Sequence, residues 1–157
     1  MAASRHRVQT AAGPVDVWLP PGEALDDVNG MAYWSPDPRL GRFTVADDTD
    51  DGEALLELER AHGDVEVEAD ERTSRGGADV RRLRYRVRRD EPREVVVTPQ
   101  GTQHTGGVPA EHVSDVLLIG SGGHTARAGY SVRADAPPEL HAKFAEILDR
   151  VRIGGES

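Results

Sequence analysis

Most of the chain alternates apolar and polar residues with a period of two, the pattern of strands that bury one face. Arg5 to Thr10 reads as a first strand. After the turn signal Ala12-Gly13-Pro14, Val15, Val17 and Leu19 alternate with Asp16 and Trp18. Pro20-Pro21-Gly22 ends that second strand, because proline offers no ladder donor. Residues 22–30 read as loop or a short helical turn. Met31 to Trp34 and Arg42 to Ala46 are short strands either side of a Pro-rich loop at 35–41.

The clearest pair follows. Val65, Val67 and Ala69 alternate with Glu66, Glu68 and Asp70, and beyond Ser74-Arg75-Gly76-Gly77, Leu83, Tyr85 and Val87 alternate with Arg82, Arg84, Arg86 and Arg88. Both charged sets fall on even numbers. Opposed residues share a face in an antiparallel hairpin, so their numbers must sum to an even value, whereas a two-residue Gly76-Gly77 loop gives an odd sum. The hairpin therefore needs a loop of odd length or a β-bulge. Val95 to Val97 reads as a further strand, and the Gly-, Pro- and Thr-rich stretch 99–110 as a loop long enough for a binding role. Val116-Leu117-Leu118-Ile119 is a continuous apolar run, which suits a central strand covered on both faces. Past the Ser121-Gly122-Gly123 turn, Ala126, Ala128, Tyr130 and Val132 alternate with Arg127, Ser131 and Arg133.

Two segments change period. Near 51–62, Ala54, Leu55, Leu58 and Ala61 recur at helical spacing, with Asp50 or Asp51 as cap, Glu53 in capping-box position and Gly63 as a left-handed C-cap, the alternative being an extended strand through Leu58. Near 137–152, Leu140, Phe144, Ile147, Leu148 and Val151 form one apolar stripe, opened by Pro137-Pro138 and closed by Gly154. The expected fold is α+β: an antiparallel sheet of about six to eight strands with these two helices packed on it.

Composition narrows the chemistry. The 157 residues suit one domain, 1–157. The absence of cysteine excludes disulfides, thiolate metal sites and a thiol nucleophile. A net charge of -9 argues against nucleic acid as partner. No apolar run reaches the ~18 residues of a membrane span. The N-terminal sequence has no apolar secretory core, so a cytoplasmic location is expected. A single lysine accompanies 18 arginines, a coding bias that weakens arguments from arginine choice.

Four groups of residues carry candidate chemistry. Arg82, Arg84, Arg86 and Arg88 form either an anion-binding surface or a cross-strand ion-pair ladder with Glu66, Glu68 and Asp70. Gly120-Ser121-Gly122-Gly123 lacks the lysine and following helix of a phosphate loop, and reads as a hairpin turn. His104, Glu111, His112, Asp115 and His124 lie close in sequence, and imidazoles with carboxylates suit acid–base or metal chemistry, but their spacing matches no ligand signature. Trp18 and Trp34 either anchor a partner or pack on the sheet. Nothing points to a cofactor.

The order of elements resembles the PsbP-like superfamily of small α/β/α sandwiches, which includes DcrB-type bacterial proteins, Ran-binding Mog-type proteins and the effector-associated Eag chaperones. The resemblance spans about residues 8–153. It rests on a strand running into Leu19-Pro20-Pro21-Gly22, on Phe43-Thr44-Val45 before a helix, and on Gly76-Gly77 before Arg82-Leu83-Arg84-Tyr85-Arg86. Gly129-Tyr130-Ser131-Val132 then leads to a helix ending Ile147-Leu148-Asp149-Arg150-Val151-Arg152-Ile153. The resemblance implies a non-enzymatic accessory protein that binds a protein partner, such as a secretion chaperone or adaptor. The partner-binding candidates are then Trp18, Trp34, Arg82, Arg84, Arg86 and Arg88. The chain departs from the family in its shorter first helix and its charge distribution. Two rival classes stay open: a structural subunit, including a homo-oligomer, and a small-ligand-binding or hydrolytic enzyme using His104, His112, Asp115 and His124.

Overall fold

The computed structural model describes residues 3–28, 31–48, 52–98 and 101–154, and for 89–98 and 101–109 the backbone course. Strands β1 (Ser4–Thr10) and β2 (Gly13–Leu19) form a hairpin, and β10 (Arg152–Ile153) adds to β2 to make a three-stranded sheet. The main sheet has seven antiparallel strands. Its members are β3 (Asp26–Val28), β4 (Met31–Trp34), β5 (Gly41–Asp48), β6 (Asp64–Arg75), β7 (Ala78–Thr98), β8 (Gly101–Ser121) and β9 (His124–Arg133), in the order β3-β4-β5-β9-β8-β7-β6. The chain leaves β5, crosses one face of the sheet as helix α1 (Glu53–His62), and enters the far edge at β6. Three hairpins then return it to pair β9 with β5.

Period-two alternation assigns the two faces. Phe43, Val45, Leu117, Ile119, Ala128, Tyr130 and Val132 turn to the first face. Helix α2 (Pro138–Asp149) and the inner side of the small sheet cover it with Phe144, Ile147, Leu148, Val15, Val17 and Leu19. On the second face, Leu83, Tyr85, Val87, Val116 and Leu118 pack under Leu56 of α1. The run 116–119 therefore is a central strand buried on both sides, as its composition requires.

The β6–β7 hairpin has both features that its sequence sets against each other. Gly76 and Gly77 take φ values of 57° and 80°, a two-residue turn that only glycine forms cheaply. The register then shifts between Val67 and Ala69, so Glu68 is the extra residue of a β-bulge. The bulge restores parity: beyond it Glu66 opposes Arg86 and Asp64 opposes Arg88.

Five expectations are corrected. The first hairpin leaves the main sheet for a sheet of its own, because Arg152 and Ile153 pair with Asp16 and Val15. Residues 26–28 are a short edge strand, not a loop or helical turn. The stretch expected as a loop at 99–110 is strand from 101 onward, continuous with β8. Helix α2 stops at Asp149, with Arg150 as its C-cap, and Gly154 follows β10 instead of ending the helix. The N-cap of helix α1 is Gly52, whose φ is 115°, and Gly63 is extended, not left-handed. Asp50 and Asp51 lie outside the described residues. A Cβ on Gly52 would stand 2.5 Å from Leu118 and 2.9 Å from Leu83, so glycine brings the helix start onto the sheet. That contact rotates α1 so that Leu56 is buried and Leu55 half-buried, while Leu58 is 57% exposed.

Phe144 is fully buried, stacked on Tyr130 at 5.4 Å and edge-on to Trp34 at 5.7 Å. In urea titrations, Phe144→Ala is expected to lower stability by about 3–5 kcal/mol through cavity formation. Leu58→Ser is expected to change it by less than about 0.5 kcal/mol. Equal costs at the two positions would contradict this orientation of α1.

Candidate functional site

Among the described residues, the histidine–aspartate group does not assemble. Asp115 is 1% exposed on the first face of β8, where Arg82 grips it through Nε at 3.0 Å and Nη2 at 2.8 Å. His112 lies three residues earlier, so period two turns it to the opposite face. His124 opens β9 at the far end of the β8–β9 hairpin and is exposed. Nine strand residues, about 30 Å, separate His112 from the Ser121 that pairs with His124. The side chain of His104 lies outside the described residues. Among the described residues, no three His, Asp or Glu side chains come close enough to hold a metal ion. Burial, reinforced by the charge of Asp115, raises the Tyr130 phenol above its ordinary value, which keeps it neutral.

The arginine ladder meets carboxylates. Arg82 reaches Asp115 and, at 3.5 Å, Asp149 of α2. Arg84 and Arg86 share Glu68, and Arg86 also stands 3.8 Å from Glu111. Arg88 opposes Asp64 in the register. The bulge changes one expected partner: Asp70 opposes Leu83, which puts it on the second face, and it pairs with Arg81 at 2.8 Å. Arg81 is only 6% exposed and also binds Glu53 in the first turn of α1 at 2.8 Å. Its odd number within an otherwise even-numbered arginine series was the available signal that it faces the helix. The partly exposed pairs at Glu68 contribute about 0–1 kcal/mol each and chiefly hold register. Arg82–Asp115 and Arg81–Asp70, in contrast, each contain a buried member that would be left an unpaired charge without its partner.

The two tryptophans part company. Trp34 is 3% exposed, packs on Phe144, and donates from Nε1 to Glu23 at 3.3 Å. Of its two readings, this is the packing one. Trp18 points away from Val17 and Leu19, stays half-buried, and has the Arg150 guanidinium 5.8 Å from its ring centroid. It stands between two hollows of about 330 and 320 Å³, each of which also includes Arg150.

The remaining feature is the far part of the β7–β8 hairpin. β6 pairs with β7 only as far as Arg88, and β9 pairs with β8 only from His112. Between them, 89–98 and 101–110 pair with each other, in a register that runs from Arg89↔Ala110 to Thr98↔Gly101. Ten residues on each strand make a two-stranded ribbon about 33 Å long. Among the described residues no third strand joins either outer edge. Sequence reasoning missed its second strand because Gly106-Gly107 and Pro109 are loop signals locally. Pairing with the Val95–Val97 side overrides them.

No sequence-family model matches the chain, and no curated protein matches it in sequence. Solved structures do share its fold. The cyanobacterial PsbP (CyanoP) of Synechocystis sp. PCC 6803 aligns with a TM-score of 0.55 at 12% identity, over 97% of this chain and 92% of its own. PA94 of Pseudomonas aeruginosa, a protein of unknown function suggested to be a regulator, aligns with a TM-score of 0.51 at 10% identity, over 96% of each chain. The chain thus has a PsbP-like fold. Among the described residues no helix is long and apolar enough to cross a membrane.

Hydrogen bonds from Arg7 and Arg81 hold the carboxyls of Asp16 and Asp70 below their ordinary values. Groups depressed in the folded state stabilise it fully above the unfolded carboxylate value of about 4, and that contribution is lost as pH falls through the folded values. Urea titrations from pH 7 to pH 2 are expected to show this loss. Asp16→Asn is expected to flatten the acid limb, and an unchanged limb would contradict the Arg7 pairing.

Proposed function

We propose that the chain is a non-enzymatic accessory domain, folded as one unit over 1–157, that binds a protein partner through the β7–β8 ribbon. One observation carries this reading: 89–98 and 101–110 present two outer edges of backbone N–H and C=O groups with no strand beside them among the described residues. Such edges template the addition of an extended segment, in which main-chain hydrogen bonds supply affinity. Native edges are ordinarily guarded by charge or proline. Arg89, Asp90, Glu91, Pro92, Arg93 and Glu94 occupy the part of β7 where the ribbon begins, while Val95–Thr98 and 101–105 carry no Asp, Glu, Lys or Arg. A two-stranded ribbon alone is marginal in water, so an added strand stabilises it.

The resemblance to DcrB-type and Eag proteins supports an adaptor or secretion chaperone. The spread of His112, Asp115 and His124 along β8 and β9 speaks against the hydrolytic alternative. Arg82, Arg84, Arg86 and Arg88 act in this reading as the register-holding base of the ribbon, and Trp34 acts from within the core.

Replacing residues 90–109 by Asn-Gly joins Arg89 to Ala110 in their existing register and removes the ribbon. A photocrosslinker at Val96 is expected to capture a discrete protein from the native extract, and one at Leu58 on α1 is not. The trimmed variant is expected to keep cooperative unfolding and to lose that partner in a direct binding assay with the purified protein. Equal binding by trimmed and full chains, or no capture at Val96, would overturn the proposal.

A further inference from the structure

We infer that the hollow between α1 and the second face of the main sheet is a binding site for a small aromatic carboxylate. The inference goes beyond the ribbon and does not rest on it. Helix α1 packs over β7 and β8. Beside it a hollow of about 290 Å³ reaches across β8 and β9 to β5, a volume at the small end of ligand pockets.

The register of the sheet builds the floor. Arg42 of β5 opposes Ser131 of β9, Ser131 opposes Ser114 of β8, and Ser114 opposes Tyr85 of β7. Opposed residues share a face, so a guanidinium, two hydroxyls and a phenol stand in one row. Neighbours in that row are about 4.8 Å apart, the spacing of the strands. All four line the hollow. In the next row Gly129 lies between Thr44 and Val116. A Cβ on Gly129 would overlap the Asp115 carbonyl oxygen and stand 2.5 Å from the Val116 Cα, so this position stays bare. Bare backbone in mid-strand gives a flat ring a place to lie. Met31 and, from α1, Leu55 are half-buried beside it and supply apolar walls.

Unused donors select the ligand. Ser114 is only 5% exposed. Its hydroxyl opens into the hollow, and among the described residues it has no hydrogen-bond partner, nor have the hydroxyls of Thr44 and Ser131. A buried polar group without a partner is costly, and a ligand that accepts from it removes the cost. Arg42 is exposed and has no ion pair among the described residues, whereas Arg127 and Glu59, which also line the hollow, are each already engaged. The hollow thus offers hydroxyl donors around one uncommitted cation. A carboxylate only accepts, carries one charge, and is held by a guanidinium through two parallel hydrogen bonds. A phosphate monoester brings nearly twice that charge to the same single cation.

The test uses the full chain with para-fluorobenzoate and para-fluorophenylpropanoate as probes. Binding is read by fluorine NMR line broadening of the probe and by backbone amide shifts of the protein. The expected result is saturable binding that weakens with salt and shifts the amides of Ser114, Gly129 and Ser131. Arg42→Gln is expected to weaken it about tenfold and Ser114→Ala several-fold. Arg42 is exposed, so its variant folds whatever Ser114→Ala does. Arg39→Gln removes an exposed arginine outside the hollow and is expected to leave the affinity unchanged. The ribbon-trimmed chain is expected to bind both probes as the full chain does, so failure here and failure of the ribbon are distinguishable. No saturable binding of either probe, equal binding of para-fluorobenzamide, tighter binding of para-fluorophenyl phosphate, an unchanged affinity in Arg42→Gln, or amide shifts confined to residues outside the hollow would each overturn the inference.

Discussion

The ladder between β7 and β8 is the constraint on which the rest of the structure depends. β8 is buried on both sides, with Leu117 and Ile119 turned to α2 and the small sheet and Val116 and Leu118 turned to α1. A slip of one residue would exchange these sets and turn Asp115 away from Arg82, leaving a buried carboxylate without its partner. The same ladder continues past the limits of its neighbours and becomes the ribbon. Core and proposed docking element are thus one continuous pairing.

Charge reinforces that register more than it adds stability. Arg82 ties β7 to Asp115 of β8 and to Asp149 of α2. Arg81 ties the same strand to Asp70 of β6 and Glu53 of α1. Adjacent arginines on one strand thereby fasten the layers on opposite faces. A bulge at Glu68 makes this arrangement compatible with a two-residue glycine turn, and Glu68 itself then lies between Arg84 and Arg86.

The proposed docking ribbon lies where the fold departs from economical packing. The ribbon carries strand backbone beyond any neighbour that could pair its edges. Trp18 keeps a large aromatic ring half in water while Trp34, similar in sequence context to the eye, is sealed against Phe144. The proposed contact role needs such surfaces, and among the described residues His112, Asp115 and His124 are dispersed along β8 and β9 instead of converging.

Signals of local period were legible in the residues alone. Alternation at 15–19, 65–70, 82–88 and 126–133 marks strands, the stripe from Leu140 to Val151 marks α2, and the parity of the charged positions requires the bulge or an odd loop. Each depends only on the backbone repeat. What neighbours in space decide was not legible. The face of α1 follows from Gly52 meeting Leu83 and Leu118, the strand state of 101–110 from its pairing with β7, and the partner of Asp70 from the bulge that turns it to Arg81. These are contacts between distant segments, whose energies outweigh the weak local preferences of glycine, proline and single leucines. Only the assembled sheet contains them.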